Sequence, residues 1–335
     1  MVLAGWIILL VLGFALLVKG ADWFVDGAAG IAGKLKISPL VIGLTVVAFG
    51  TSAPELAVSV VSAARHSTDL AIGNVVGSNI VNILLILGIS ALIHKLPVQK
   101  NSLRLDLPVL ALASALIIGL GVWGEKLQWW DGLILLAVFA VYMIFLFLGA
   151  FKEQKQKKLA GIVEEETVEK APKTSFGRWF IKMEQKTWFL IVLTLVGLGM
   201  VVGGGTLLVE SAKQIARTFH VDERIVGLTI VAIGTSLPEL VTSVVAARKG
   251  NTDIAVGNVI GSNIFNIFLV AGISSLVYDL TFSIETNLID ALVALASALL
   301  LCLLACFDKH RIGRIGGGVM VLSFVAYYVY LFVTL

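Results

Sequence analysis

Residues 43–56 read Gly-Leu-Thr-Val-Val-Ala-Phe-Gly-Thr-Ser-Ala-Pro-Glu-Leu, and residues 227–240 read Gly-Leu-Thr-Ile-Val-Ala-Ile-Gly-Thr-Ser-Leu-Pro-Glu-Leu. Each copy places one carboxylate, Glu55 or Glu239, in an otherwise apolar stretch. A charged side chain at the centre of a bilayer costs about 3 kcal/mol, so a carboxylate there indicates a functional site. Two such carboxylates in matched repeats predict a cation site where the two halves of the chain meet.

A second repeated stretch follows each copy of the first, with the same offset of 184 residues between copies. Residues 73–82 read Gly-Asn-Val-Val-Gly-Ser-Asn-Ile-Val-Asn, and residues 257–266 read Gly-Asn-Val-Ile-Gly-Ser-Asn-Ile-Phe-Asn. Polar residues four apart form a stripe along one face of a helix. The stripes are Asn74, Ser78 and Asn82 in the first copy and Asn258, Ser262 and Asn266 in the second.

The composition indicates a polytopic membrane protein. Hydrophobic residues make up 58% of the 335 residues and charged residues 14%, and the mean hydropathy is +0.98. Apolar runs of about 20 residues, the length that spans a bilayer as a helix, recur along the whole chain. The first run lacks a basic segment before it, so we interpret it as a spanning helix and not as a signal peptide. The two cysteines predict no disulfide scaffold.

We therefore predict an all-α fold of ten transmembrane helices. Their expected positions are 2–33, 38–64, 69–93, 103–122, 129–150, 188–217, 223–247, 253–277, 286–306 and 312–334. Lysine and arginine concentrate in alternate connections, and the positive-inside rule then places both termini outside the cell. The connection 151–187 is rich in lysine and glutamate, which is typical of a solvated cytoplasmic linker.

This linker divides the chain into 1–150 and 188–335, each with five predicted helices. Because five is odd, the second half enters the membrane from the opposite side. We expect two inverted five-helix repeats.

A proline directly precedes each glutamate of the first motif. Proline has no amide N–H, so Pro54 leaves the carbonyl of Gly50 without its helical partner. We expect freed carbonyls around 48–51, which are tolerable at membrane depth only beside a cavity or a ligand. Hydroxyls three and four residues before each carboxylate share its face. They are Thr51 and Ser52 beside Glu55, and Thr235 and Ser236 beside Glu239.

These groups are all oxygen donors, and neither His nor Cys occurs among them. Such a set suits Ca²⁺ or Na⁺ and does not suit zinc. A proline kink with small polar residues can also serve helix packing alone. The duplication of a glutamate together with its hydroxyls favours ion binding. Asp69 and Asp253 also recur, but each follows a threonine at a predicted helix start, which favours capping.

Both motifs, present twice, resemble the cation/calcium antiporter superfamily, and most of all the prokaryotic Na⁺/Ca²⁺ exchangers. The resemblance implies that Glu55 and Glu239 bind Ca²⁺ and Na⁺ at the centre, with further ligands around them. Those implied ligands are Thr51, Ser52, Thr235 and Ser236, the carbonyls of Ala48 and Ala232, the hydroxyls of Ser78 and Ser262, and the flanking Asn82 and Asn266. It also implies about three Na⁺ per Ca²⁺ and therefore electrogenic transport.

Two differences from related branches of the superfamily limit which ions we expect to drive transport. K⁺-dependent members carry Asp at one of the paired Asn positions, whereas Asn82 and Asn266 are both amides here. The H⁺/Ca²⁺ branch typically has Glu-His where this chain has Gly-Ser-Asn, and none of the four histidines lies in a motif. Na⁺ is thus the expected driving ion.

The expected function is a Na⁺/Ca²⁺ antiporter in the inner membrane of a prokaryote, acting as a monomer because both halves of the site lie on one chain. An H⁺/Ca²⁺ antiporter and, less favoured, a cation channel are the alternatives. We expect that the protein is not an enzyme, since no catalytic motif is present. We also expect that it uses no cofactor and binds no nucleic acid. The substrates are Na⁺ and Ca²⁺, and the surrounding partner is the lipid bilayer.

Overall fold

The computed structural model describes residues 2–159, 186–219, 232–307 and 310–334, which are almost entirely helical. We number the helices in chain order. They are α1 (Val2–Leu35), α2 (Pro39–Thr51 and Ala53–Ala64), α3 (Thr68–Ile93), α4 (Ser102–Gly124), α5 (Trp129–Leu159), α6 (Thr187–Thr218), α7 (Ala232–Thr235 and Leu237–Arg248), α8 (Thr252–Val277), α9 (Asn287–Phe307) and α10 (Arg314–Thr334).

Eight of these helices are long and apolar enough to cross a membrane, and the bent α2 makes a ninth. The chain is thus an all-helical polytopic membrane protein. The helix predicted over 223–247 begins outside the described residues, and α7 is its described part. The ten predicted spans are therefore not all found in the part of the chain that the structure describes.

The helix α5 continues to Leu159, beyond the predicted boundary at 150. The added residues are mainly Lys, Glu and Gln, which are strong helix formers and are well solvated where a helix leaves the membrane. The first part of the predicted linker is therefore helical. Its remainder, with the amphipathic stretch predicted near 177–183, lies outside the described residues.

Both proline motifs break their helices at the predicted place. The helix α2 bends by 46° between Thr51 and Ala53. At the break Ser52 has φ −82° and ψ 4°, and the matched Ser236 of α7 has φ −86° and ψ 7°. Because Pro54 and Pro238 supply no amide hydrogen, neither helix can carry its regular bonding through the break. The same sequence thus produces the same local geometry twice.

The helices α3 and α8 form the centre of the molecule and are the most buried spans among the described residues. Each contains a wider π-helical turn at the end of its repeated motif, Val81–Leu87 in α3 and Phe265–Ala271 in α8. Such turns are frequent at functional sites. A Cβ on Gly257 of α8 would lie only 2.7 Å from the carbonyl of Leu40, so this glycine lets α8 pack directly on the backbone of α2.

Two pairs of very short strands join the ends of the helices. The strand β1 (Leu96–Pro97) pairs antiparallel with β4 (Arg311–Ile312), and β2 (Lys126–Leu127) pairs antiparallel with β3 (Leu280–Thr281). Each pair joins the segment after a central helix to the turn between two peripheral helices of the other half. These strands were not predicted, because a strand of two residues has no detectable periodicity.

Outside this core, α1 and α6 pack against each other along their length in antiparallel directions. Glycines bring their backbones into contact: a Cβ on Gly20 would lie 2.8 Å from the amide of Val201, and one on Gly197 would lie 2.5 Å from the amide of Phe24. Gly13 and Gly204 form the same kind of contact one step along the pair. The two long helices therefore form one closely packed unit at the edge of the core.

This contact predicts different effects for two glycines of the same helix. Gly197→Ala places a methyl group on the α1 backbone and should lower the free energy of unfolding by about 1–3 kcal/mol, the usual cost of overpacking. Gly199→Ala is the control, because its Cβ would meet nothing within 4 Å. Thermal unfolding of the purified protein in detergent measures both variants. Equal melting temperatures would contradict this packing.

Candidate functional site

Glu55 and Glu239 lie just beyond the two helix breaks and have no exposed surface. Each carboxylate accepts a hydrogen bond from the serine at the break in the other half of the chain. Ser52 Oγ donates to Glu239 Oε1 at 3.1 Å, and Ser236 Oγ donates to Glu55 Oε1 at 3.3 Å. The two motifs, 184 residues apart in the sequence, therefore meet in one site with a reciprocal pattern of bonds.

The backbone of each glutamate is fixed by the first asparagine of the polar stripe. Asn74 Nδ2 donates to the carbonyl of Glu55 at 3.2 Å and to Ser59 Oγ at 2.9 Å. Asn258 Nδ2 repeats this with the carbonyl of Glu239 at 3.4 Å and with a serine hydroxyl at 2.9 Å. These asparagines position the glutamates.

Around Glu239 the predicted side chains form a connected network. The Thr51 hydroxyl donates to Asn258 Oδ1 at 3.0 Å and lies 3.4 Å from Ser262 Oγ. Ser262 Oγ in turn donates to Glu239 Oε1 at 3.5 Å. Since Thr51 belongs to α2 and Glu239 to α7, this network again joins the two halves.

The matched groups around Glu55 are less connected. Ser78 is buried. Among the described residues, no hydrogen bond joins it to Glu55 or to Thr235. The buried Thr235 Oγ1 has no hydrogen-bond partner among the described residues. The site is thus symmetric in its residues and asymmetric in its bonding.

The backbone carbonyls predicted to be free are only partly so. The Ala48 carbonyl accepts the amide of Ser52 at 3.0 Å and lies 3.4 Å from the Thr51 hydroxyl. The continued helical bond to Ser52 corrects the expectation of a freed carbonyl here, because the missing donor at Pro54 affects Gly50 instead. Ala232 is the first described residue of α7.

At the centre of α3 and α8, amide side chains cross between the halves. Asn79 Nδ2 donates to the carbonyl of Asn263 at 3.3 Å, and Asn263 Nδ2 donates to that of Asn79 at 3.4 Å. Asn82 Nδ2 donates to Asn263 Oδ1 at 3.0 Å. Neither side-chain polar atom of the buried Asn266 has a partner in the described part of the chain. We did not predict Asn79 and Asn263, although the recurring Gly-Ser-Asn triplet carries them.

One carboxylate oxygen of each glutamate, Oε2, is buried without a hydrogen-bond partner. No lysine, arginine or histidine of the described segments pairs with either carboxylate. A buried charge without compensation is very costly, so these oxygens need a cation or a proton. All the neighbouring polar atoms come from carboxylates, hydroxyls, amides and carbonyls, which are the ligands of hard cations.

A second repeated pair of carboxylates was not predicted. Asp106 of α4 and Asp290 of α9 have the same 184-residue offset as the motifs. Each accepts a hydrogen bond from a tyrosine of the next helix, Tyr142 at 3.0 Å and Tyr327 at 2.7 Å. The fully aligned repeat could have revealed the aspartates. The tyrosines could not have been found this way, because their offset is 185.

The fold and the site define a polytopic α-helical membrane protein with an oxygen-lined, acidic candidate site for cations between two halves of similar sequence. The family model of the sodium/calcium exchanger protein matches residues 5–148 and 189–333. The chain therefore belongs to the sodium/calcium exchanger family, whose members are membrane transporters. The resemblance predicted from the motifs is confirmed.

Individual relatives agree along nearly the whole chain. The sodium/calcium exchanger MaX1 of Methanosarcina acetivorans is 36% identical, covering 97% of this chain and 98% of its own length. The inner membrane protein YrbG of Escherichia coli is 37% identical over 80% of this chain and 79% of its own. A solved structure of the sodium–calcium exchanger NCX_Mj superposes with a TM-score of 0.80 at 32% identity, and covers 98% of both chains.

The unbound carboxylate oxygens predict stabilisation by Ca²⁺. Ca²⁺ at a concentration 100 times its Kd should raise the free energy of unfolding by about 2.7 kcal/mol, because it binds only the folded state. Glu55→Gln and Glu239→Gln should lose this increase, whereas Glu285→Gln, an exposed residue of the α8–α9 connection, should keep it. The melting temperature in detergent, with Ca²⁺ or with choline, is the measurement. An increase that persists in both Gln variants at the site would place Ca²⁺ elsewhere.

Proposed function

We propose that the protein is a secondary active antiporter that exchanges Na⁺ for Ca²⁺ by alternating access. One observation carries this proposal: two fully buried carboxylates from opposite halves share a site, each with one oxygen that no described group binds. Two ionised glutamates match the charge of one Ca²⁺. The oxygen-only surroundings match the preference of both Ca²⁺ and Na⁺.

In this proposal the glutamates bind both ions and the surrounding oxygens complete the coordination. The bonds from Ser52 and Ser236 to the carboxylates, and the contacts of Thr51 and Ser262, support these assignments. The proposed ligands are Glu55, Glu239, Thr51, Thr235, Ser52, Ser236, Ala48, Ala232, Ser78, Ser262, Asn82 and Asn266.

Exchange follows from charge. The empty site holds two negative charges in a low-dielectric core, so reorientation without ions is too costly. One Ca²⁺ or several Na⁺ neutralise it, and both loads do not fit together. With about three Na⁺ per Ca²⁺, each cycle moves one net positive charge in the direction of Na⁺ movement.

We also propose that the full architecture is ten spans in two inverted repeats, 1–150 and 188–335, joined by a cytoplasmic linker at 151–187. The bond of Ser52 to Glu239 matches that of Ser236 to Glu55. Together with the reciprocal bonds of Asn79 and Asn263, this supports a two-fold relation between the halves. A monomer is sufficient, because one chain supplies both carboxylates. Both termini are placed outside an inner membrane by the distribution of Lys and Arg.

The moving part in this proposal is the α1–α6 pair. These two helices are the longest of the described spans, with 34 and 32 residues against 31 for the extended α5. Their glycine contacts with each other are backbone to backbone, so the pair is able to move over the core as one body.

Calcium uptake into vesicles that contain the purified protein tests the function. With Na⁺ inside, external Ca²⁺ should enter; with choline inside, uptake should fall to that of empty vesicles. Glu55→Gln and Glu239→Gln should abolish uptake, and Glu285→Gln should not change it. Equal uptake with both internal cations would indicate a channel. Uptake driven only by a pH gradient would indicate H⁺/Ca²⁺ exchange.

The same vesicles test the stoichiometry through the membrane potential. Three Na⁺ leaving for one Ca²⁺ entering export one positive charge. An inside-positive potential should therefore accelerate uptake and an inside-negative potential should slow it, since one charge crossing 100 mV is worth about 2.3 kcal/mol. Rates that do not depend on potential would contradict the proposed three-to-one ratio.

A further inference from the structure

The turns between α2 and α3 and between α7 and α8 are matched copies. Each contains one residue in the left-handed region, His66 with φ 60° and Gly250 with φ 79°. In both turns the amide of the next residue donates to the carbonyl five residues earlier at 2.9 Å. The cationic residues just before, Arg65 and Lys249, therefore occupy equivalent positions.

The start of α3 lies beside the end of α8, where Thr68 donates a hydrogen bond to Thr281. The start of α8 lies beside the end of α3, where Gln99 donates a hydrogen bond to Asp253. The two turns are therefore at opposite ends of the central helices.

Lys249 binds the long helix α1. Its Nζ lies 2.6 Å from Asp26 Oδ1, donates to the carbonyl of Asp22 at 3.0 Å and forms an ion pair with the Asp22 carboxylate. Partial burial alone lowers the pKa of the Lys249 ammonium, but the hydrogen bonds and charges of the two aspartates outweigh this and raise its pKa. Lys249 thus stays charged and holds α1 to the end of α7.

Arg65 makes no such contact. It is exposed, and none of the ion pairs within the described ranges includes it. The position in α6 that matches Asp26, 184 residues later, is Glu210. Glu210 is also exposed and accepts a hydrogen bond at 2.8 Å from Gln214 of its own helix. The residues for a second ion pair exist, but in this structure they are not joined.

The apolar surfaces beside the two turns also differ: the one on α7 is covered and the one on α2 is exposed. Three residues of α7 pack against a buried cluster of Leu17 and Ala21 of α1 and Val201 of α6; they are Leu237, Val241 and Val245. The matched positions of α2 are exposed; they are Ala53, Ala57 and Val61. The α1–α6 pair therefore covers the α7 side and leaves the α2 side open.

We infer that Lys249 and Arg65 are the two halves of an alternating ionic latch. In the state seen here, Lys249 holds α1 against α7. In the opposite state, α6 covers the α2 surface and Glu210 pairs with Arg65, while the bonds of Lys249 to α1 break. This inference rests on the proposed alternating access. In it, Lys249 and Arg65 control which side of the ion site is closed.

An ion pair of this exposure is weak enough to break in every transport cycle. The side chains of Lys249, Asp22 and Asp26 are 28–34% exposed, and an exposed ion pair shifts a two-state equilibrium by about fivefold at most. Each latch therefore biases the population without locking it, as a contact broken in every cycle must.

Thiol labelling of the two apolar surfaces measures the bias directly. A background with Cys302→Ser and Cys306→Ser receives either Val61→Cys or Val245→Cys, and the labelling rate by a small water-soluble maleimide is recorded. Lys249→Ala should raise the rate at position 245 and lower it at position 61, each about two- to fivefold. Arg65→Ala should act in the opposite direction at both. Lys249→Arg should retain the original rates.

Lys126→Ala is the matched control, because it removes an ion pair, to Asp279 at 2.8 Å, in which neither α1 nor α6 takes part. Its rates should equal those of the unmodified background. If Lys249→Ala changes neither position, or changes both in the same direction, the latch is refuted. Unchanged melting temperatures separate a shift in state from unfolding.

A charge exchange tests the contact that this structure does not contain. Arg65→Glu should shift the labelling rates towards the state seen here, and Glu210→Arg in the same chain should restore them. Two independent effects would overturn the pairing of Arg65 with Glu210. These rates do not require Na⁺-dependent Ca²⁺ uptake, so failure of the proposed exchange function would be recognised separately by the vesicle measurement.

Discussion

Two carboxylates that are buried without a cationic side chain impose the constraint on which the rest of this structure depends. Glu55 and Glu239 each receive a hydroxyl from the opposite half, yet one oxygen of each has no partner in the described residues. A hydroxyl does not neutralise a carboxylate, so the core is stable only with cations or protons at this place. The need for a cation or a proton at this place is thus a property of the folded core itself.

The surrounding fold makes such a site possible at membrane depth. The breaks at Ser52 and Ser236 place one hydroxyl beside the carboxylate of the opposite half, and the bonds from Asn74 and Asn258 fix the glutamate carbonyls. Glycines bring α8 against α2 and α1 against α6, so the helices approach at backbone distance. The residues of the core match between the halves, whereas α1 and α6 contact the core unequally. In the proposed alternating access, this inequality lets one site between two similar halves open to one side at a time.

The sequence was sufficient for much of this account, since most helix boundaries in the described residues, both breaks and the meeting of Glu55 with Glu239 follow from hydropathy, proline chemistry and the 184-residue repeat. The end of α5 at Leu159 was not predicted. It was insufficient where the cause is tertiary. The ion pair of Lys249 with α1 depends on how α1 packs, the partners of Asp106 and Asp290 come from helices that the repeat aligns only approximately, and the two short strand pairs have no periodicity. The unequal bonding of Thr51 and Thr235 could not be predicted either, because the two residues lie in the same repeated sequence.

Competition between the two ions at equilibrium tests the central claim most directly. Binding of radioactive Ca²⁺ to the purified protein in detergent is measured at increasing Na⁺, with choline keeping the ionic strength constant. One shared site predicts that Na⁺ raises the apparent Kd for Ca²⁺ without limit, approaching the third power of the Na⁺ concentration, while the number of bound Ca²⁺ at saturation stays at about one. A Ca²⁺ affinity that does not respond to Na⁺, or that levels off as Na⁺ rises, would contradict mutually exclusive binding between Glu55 and Glu239.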